Sequence, residues 1–138
     1  MEISLLIFDD SLSDSNKIKS FTQHLETLLK HELNFSLEVT QRVDDSMLDS
    51  DLMTRNFHVI LIDDDLGNNH WGNQIIDKII LITDNTPEVA KTPKVYYSAG
   101  TSITDLKEKT KHHGNIPCET FDNLAEFVFK LIKSKYYK

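Results

Sequence analysis

The sequence predicts an α/β fold: a five-stranded parallel sheet in the order 2-1-3-4-5, flanked by five helices. Two runs, Ile3-Ser4-Leu5-Leu6-Ile7-Phe8 and Val59-Ile60-Leu61-Ile62, are apolar without polar alternation. That pattern marks strands buried on both faces. Strand-like and helix-like segments alternate along the chain, and each crossover is long enough for a right-handed βαβ unit. Both buried runs end in acids, Asp9-Asp10 and Asp63-Asp64-Asp65. Parallel neighbours would bring those acids to one edge of the sheet. That edge is the switch point between strands one and three, where open α/β sheets place their ligand sites.

Strand one is predicted from Ile3 to Phe8. The first helix starts near Ser13 or Asp14, either of which can cap it, and ends near His31. Its apolar positions Ile18, Phe21, Leu25, Leu28 and Leu29 recur every three and four residues, which is one helical face. Strand two, Phe35 to Gln41, alternates apolar and polar residues, as expected of an edge strand. Asp44 to Asn56 reads as a short helix with Met47, Leu48, Leu52 and Met53 inward. Strand three is Phe57 to Ile62. Leu66 to Gly72 is a loop, marked by Gly67-Asn68-Asn69 and Gly72. Asn73 to Ile82 is a very apolar helix carrying Ile75, Ile76, Ile79 and Ile80. Asp84 to Pro93, holding Pro87 and Pro93, is a second loop. Strand four is Lys94 to Ser98. A helix from Ser102 to His112 stops at Gly114. Strand five is Asn115 to Cys118. The last helix starts at Asp122 as N-cap and buries Leu124, Phe127, Val128, Leu131 and Ile132.

Length and composition bound the function. The 138 residues suit one domain, spanning 1–138. A net charge of -7 and a pI near 5.2 argue against nucleic-acid or anionic-membrane binding as the main activity. Lys130, Lys133, Lys135 and Lys138 are read as favourable charge at a helix C-terminus. Cys118 is the only cysteine, so no intramolecular disulfide or thiolate zinc site is expected, and a reducing cytoplasm fits. No apolar segment approaches the ~20 residues that span a bilayer, and the N-terminus lacks the basic start of a signal peptide. Of six histidines, none has helical two-ligand spacing beside a carboxylate. The adjacent His112 and His113 should point apart on a helix and are not expected to share a metal.

Carboxylates gathered at one sheet edge repel each other. A divalent cation relieves that repulsion, and oxygen-only ligands favour Mg²⁺ or Ca²⁺ over softer metals. Asp residues after strands also serve as plain loop and cap groups. Asp10 and Asp64 taken singly are therefore open to a surface-charge reading.

Taken in order, these residues resemble a response-regulator receiver domain, of flavodoxin/CheY-like fold, over nearly the whole chain. Asp9-Asp10 match the acidic pair after strand one. Asp63, ending Val59-Ile60-Leu61-Ile62, matches the phosphoacceptor. Ser98-Ala99 match the hydroxyl and small residue after strand four, Gly72 the glycine opening the third helix, and Phe121-Asp122 the start of the last helix. The resemblance implies Asp63 as nucleophile, Mg²⁺ held by Asp9, Asp10, Asp63 and the backbone carbonyl of Asp65, and Ser98 bonding a phosphoryl oxygen. It implies a histidine kinase or phosphotransfer protein as donor and a downstream protein as target. The chain would be a phosphoacceptor rather than a turnover enzyme, with a homodimer as one possible assembly.

The departures are specific. Glu119 stands where the family has a lysine on strand five, and Thr120 where it has proline. Ile116 replaces the aromatic switch residue, Gly67 replaces a proline after the acceptor, and the domain ends with the chain. Loss of the lysine contact costs on the order of 2–4 kcal/mol by analogy with a removed transition-state donor. Two readings follow: a stand-alone receiver phosphorylated at Asp63, or a degenerate receiver that binds proteins without phosphorylation. Asp63-Asp64-Asp65 also matches the Asp-x-Asp opening of haloacid-dehalogenase-type phosphatases. That family needs the motif after its first strand and further acids on later strands, which this chain lacks. Trp71, beside the proposed site, is either an exposed anchor or a ring folded over the neighbouring helix.

Overall fold

A computed structural model describes residues 1–11, 16–67, 71–83, 91–114 and 116–137. Five parallel strands form one sheet in the order β2-β1-β3-β4-β5. The elements are β1 (Glu2–Phe8), α1 (Asn16–Leu33), β2 (Ser36–Arg42), α2 (Leu48–Thr54), β3 (Val59–Asp63), α3 (Gly72–Thr83), β4 (Lys94–Ser98), α4 (Ile103–Thr110), β5 (Cys118–Thr120) and α5 (Phe121–Tyr136). A 3₁₀ turn, Lys111–His113, follows α4 and stops at Gly114, whose φ of 87° suits a residue without a Cβ.

The sheet divides the core in two. On one side Ile3, Leu5, Ile7, Val59, Leu61, Val95 and Tyr97 pack against α1 and α5. On the other Leu6, Phe8, Ile60, Ile62 and Tyr96 pack against α2, α3 and α4. The central strands β1 and β3 are buried on both faces, as their unbroken apolar runs require. β2 lies at an edge with one face half-exposed, as its alternation predicts. α1 ends in a left-handed Asn34 (φ 57°), whose amide donates to the Lys30 carbonyl at 3.1 Å, an αL-type closure, and the Phe35 amide donates to the Leu29 carbonyl.

Several boundaries differ from expectation. α2 is shorter than Asp44–Asn56, because the Asp44 side chain accepts the Ser46 amide and holds a turn ahead of the helix. Met47 and Met53 are exposed instead of inward. The inward position belongs to Asp51, which takes Arg42 Nε at 2.8 Å and Nη2 at 2.9 Å from β2. Strand β3 starts two residues later than predicted and includes Asp63. β5 is Cys118–Thr120 in place of Asn115–Cys118, since pairing with β4 begins at Cys118 opposite Tyr96. α5 follows directly at Phe121 after Thr120, so Asp122 lies inside the first turn and is not the cap. The predicted caps Ser13 and Asp14, the loop tip Asn68-Asn69-His70, most of the Asp84–Pro93 loop, Asn115 and Lys138 lie outside the described residues. No described helix is long and apolar enough to cross a membrane.

Candidate functional site

The register of the sheet builds the site. Phe8 pairs with Ile62, so the next residues, Asp9 and Asp63, stand side by side where β1 and β3 end. Each of Asp9, Asp10 and Asp63 offers an oxygen within 4.8 Å of the others. The convergence expected from residues far apart in sequence is therefore present. The hollow above them, about 590 Å³, is lined by Asp10, Asp63, Asp64, Asp65, Ser98 and Lys109, among others. It is roomy enough for a hydrated ion.

The floor of the hollow is held by close backbone approach. A Cβ on Gly72 would lie 2.0 Å from the Asp63 carbonyl oxygen, so α3 reaches the end of β3 only with glycine there. The Gly72 amide then donates to the Asp64 carbonyl at 2.8 Å. Gly67 (φ 74°) turns the loop back, and a Cβ there would meet Asp10 Oδ2 at 2.7 Å.

Each acid has its own partners. Asp9 is fully buried; its Oδ1 accepts the Ser11 amide at 2.8 Å, and its Oδ2 accepts the Tyr97 hydroxyl at 2.5 Å. Lys17 Nζ lies 3.0 Å from Asp9 Oδ2 and 3.5 Å from Asp63 Oδ2. Burial pushes the Asp9 carboxyl up, but the bonds from Tyr97, Ser11 and Lys17 outweigh it and leave Asp9 below its usual range. Asp63 is pushed up to about 7 by burial first and then by the charge of Asp9, against the pull of Lys17 and the Asp65 amide. Of the two, Asp63 is the carboxyl that takes up a proton as pH falls through neutrality. Asp10 is exposed.

Asp64 is no surface charge. It is 2% exposed, accepts the Tyr96 hydroxyl at 2.5 Å, and pairs with Lys109 Nζ at 2.9 Å. Lys109 also lies 4.9 Å over the ring of Trp71, which is 41% exposed and lines the hollow. The Trp71 ring is thus exposed while it supports the ammonium of Lys109 on α4. Ser98 Oγ accepts the Gly100 and Thr101 amides at 3.1 Å each and keeps its hydroxyl proton for another acceptor. Asp65 lines the hollow, and its side chain accepts the Gly67 amide.

Glu119 is outside the residues that line the hollow. Its carboxylate accepts the Thr120 amide at 3.0 Å. In register, Asp63, Tyr97 and Glu119 form one row across β3, β4 and β5, with the tyrosine between the two acids. A cation reaches the Asp9 and Asp63 carboxylates from α1. Lys17 reaches in across Phe121, with its ammonium 5.0 Å from that ring centre.

Sequence reasoning missed Lys17, Lys109, Tyr96 and Tyr97. Two signals pointed to some of them. A lysine in the first turn of a helix opposes the helix dipole and calls for an acidic partner. Two adjacent tyrosines in a buried strand need acceptors for their hydroxyls. Lys109 sits in the last turn of α4, where lysine is favoured anyway, so no signal marked it.

The oxygen-only donors fit a hard divalent cation. Asp10 is exposed and Asp63 offers an oxygen, while both Asp9 oxygens already accept protons from the protein.

No protein-family model matches the chain, and no curated protein matches it. Solved structures do. The chain is similar to the Vibrio cholerae chemotaxis protein CheY4, with a TM-score of 0.63, 18% identity, and coverage of 97% of this chain and 98% of that one. It is similar to the receiver domain of the Francisella response regulator 1452, with a TM-score of 0.60, 22% identity, and coverage of 96% and 98%. A Burkholderia pseudomallei response regulator with a phosphorylated aspartic acid, a calcium ion and citrate matches with a TM-score of 0.56 and 16% identity, over 97% of this chain and 75% of that one. These likenesses show the fold, which is that of response-regulator receiver domains.

Proposed function

We propose that this chain is an atypical receiver module that accepts a phosphoryl group at Asp63 and signals by protein contact. The observation that carries this reading is the convergence of Asp9, Asp10 and Asp63 at the β1 and β3 ends, beside Ser98. In the reaction Asp63, its proton given up to solvent, attacks phosphorus through a carboxylate oxygen as the N–P bond of a donor phosphohistidine breaks, and the imidazole leaves with the electron pair. Asp9, Asp10 and Asp63 would hold Mg²⁺, with the Asp65 carbonyl as a further ligand; the ion would neutralise phosphoryl oxygens. The Ser98 hydroxyl donates to a phosphoryl oxygen. Lys17, 3.5 Å from Asp63, supplies the positive charge that strand five does not. The Burkholderia regulator, of the same fold, holds a phosphorylated aspartic acid and a calcium ion, which supports this chemistry here. The phosphoryl donor is a histidine kinase or phosphotransfer protein, and the output partner meets the face around Ser98 and α4.

The test is incubation with Mg²⁺ and a small acyl phosphate or beryllofluoride. The expected result is a mass gain of one phosphoryl group, or a change in Trp71 fluorescence, absent in Asp63→Asn. A second reading is favoured by the two Asp9 oxygens, which are satisfied by Ser11, Tyr97 and Lys17 without any ion. It makes the chain a protein-binding module that needs no phosphorylation. An unmodified wild-type protein that responds to neither reagent would select it.

A further inference from the structure

We propose that Asp77, His112 and His113 form a site for a divalent transition metal of the Zn²⁺ class, separate from the acidic hollow. Asp77 projects from α3, and the two histidines from the 3₁₀ turn after α4. One donor atom from each lies within 4.8 Å of the other two. Asp77 Oδ1 is 2.9 Å from His113 Nε2 and 3.7 Å from His112 Nε2. Donors about 2.0–2.1 Å from a tetrahedral Zn²⁺ stand roughly 3.3 Å apart, so these two spacings bracket what a shared ion needs.

The adjacent histidines do not diverge as helical neighbours would. Their ring centres lie 3.8 Å apart, tilted by 45°.

His113 supplies the independent observation. Its side chain is 5% exposed, and its Nε2 is buried without a hydrogen-bond partner among the described residues, although Asp77 Oδ1 is within 2.9 Å. In an ion pair the ring N–H would aim along the line to that oxygen. Here the distance is met and the hydrogen-bond geometry is not, as when nitrogen and oxygen face a common third point. A buried imidazole nitrogen left without a partner carries a desolvation cost that an ion would remove. Burial, and then the charge of His112, hold the His113 pKa below its ordinary value, which leaves the ring neutral with its lone pair available near pH 7. The nearby Lys111 ammonium is already paired with Glu108.

Two imidazoles and one carboxylate suit Zn²⁺, and no fourth protein donor joins them among the described residues, so water would complete the tetrahedron. The ion would tie α3 to the end of α4. These helices already share an apolar cluster through Ile75, Ile76, Ile79 and Leu106.

The experiment is calorimetric titration of the untagged chain with Zn²⁺, and of Co²⁺ followed by visible absorbance. The expected result is one equivalent bound with tetrahedral Co²⁺ bands. Asp77→Asn and His112→Ala, both at exposed positions, should weaken binding about tenfold or more, since even outer partners of metal ligands are worth that much. These variants keep the fold testable if His113→Ala does not fold. Asp63→Asn and Asp10→Asn should leave Zn²⁺ affinity unchanged. The proposal is overturned by absent heat and bands, by unchanged affinity in Asp77→Asn and His112→Ala, or by binding lost with the Asp10 or Asp63 variants.

Discussion

Replacing Asp63 with asparagine should make the protein more stable, and only above mildly acidic pH. The carboxyl is pushed from 3.8 up to about 7 in the folded chain, chiefly by burial. A folded-state pKa above the unfolded one means that the folded state holds more protons between those values. Stability is therefore fully present below about pH 4 and falls as pH rises, levelling off just above 7. A shift of about three units at 1.36 kcal/mol each amounts to roughly 4 kcal/mol across that window. Asparagine keeps a carbonyl oxygen for the Asp65 amide and has no proton to lose. Urea unfolding of both proteins at pH 5 and pH 9 measures the difference. The expected gap opens from about 1–2 kcal/mol to about 4 kcal/mol in favour of the variant. Added Mg²⁺ should close it at pH 9, because the ion stabilises the ionised form. Parallel pH profiles for the two proteins would refute the buried-proton account.

Three further outcomes are expected. Lys17→Met removes the ammonium shared by Asp9 and Asp63, so it should cost about 2–4 kcal/mol in metal-free unfolding experiments. The same variant should bind Mg²⁺ several-fold more tightly, and weaker Mg²⁺ binding by calorimetry would count against competition between lysine and ion. Gly72→Ala drives a methyl group onto the Asp63 carbonyl and should cost about 1–3 kcal/mol or more, read from denaturant midpoints, while also weakening Mg²⁺ binding. Asp51→Ala strips Arg42 of its two-bond partner and should lower stability by about 1.5–3 kcal/mol, with the loss seen equally at low and high Mg²⁺.

The fold was legible because buried parallel strands leave an unbroken apolar signature. Ile60 and Leu61 have no exposed face to offer a polar residue. The acids were legible because they follow those strands, and register does the rest. The helix ends and the charge partners were harder to read. α2 rotates to bury Asp51 instead of Met47 and Met53, because Arg42 lies on the neighbouring edge strand and sequence periodicity cannot see across the sheet. β5 is displaced because its extent is decided by pairing with Tyr96, Tyr97 and Ser98, not by its own side chains. Glu119 occupies the predicted place in the chain, yet the bulk of Tyr97 lies between it and Asp63 in the same register row.

The electrostatics explain how such a cluster can exist in a folded chain. Asp9, Asp10, Asp63, Asp64 and Asp65 lie in or beside the hollow, opposed by Lys17 and Lys109. Five carboxylates against two ammonium groups leave three negative charges, and the two cations are unevenly placed. Lys109 settles on Asp64, with Tyr96 completing it. Lys17 settles first on Asp9, with Tyr97 completing it. Asp10 and Asp65, both exposed, are left to solvent, and Asp63, buried, is left to a proton. The uncompensated charge is thus gathered at the mouth of the hollow, around the buried carboxyl whose ionisation Lys17 and the Asp65 amide support only in part. A divalent cation entering there would meet Asp10 first, would compete with Lys17 for the Asp9 and Asp63 oxygens, and would release the Asp63 proton as it bound. Proton release on Mg²⁺ addition, close to one per ion at pH 6 and falling toward zero at pH 9, is the direct measure of that arrangement; release independent of pH would show that the proton resides elsewhere.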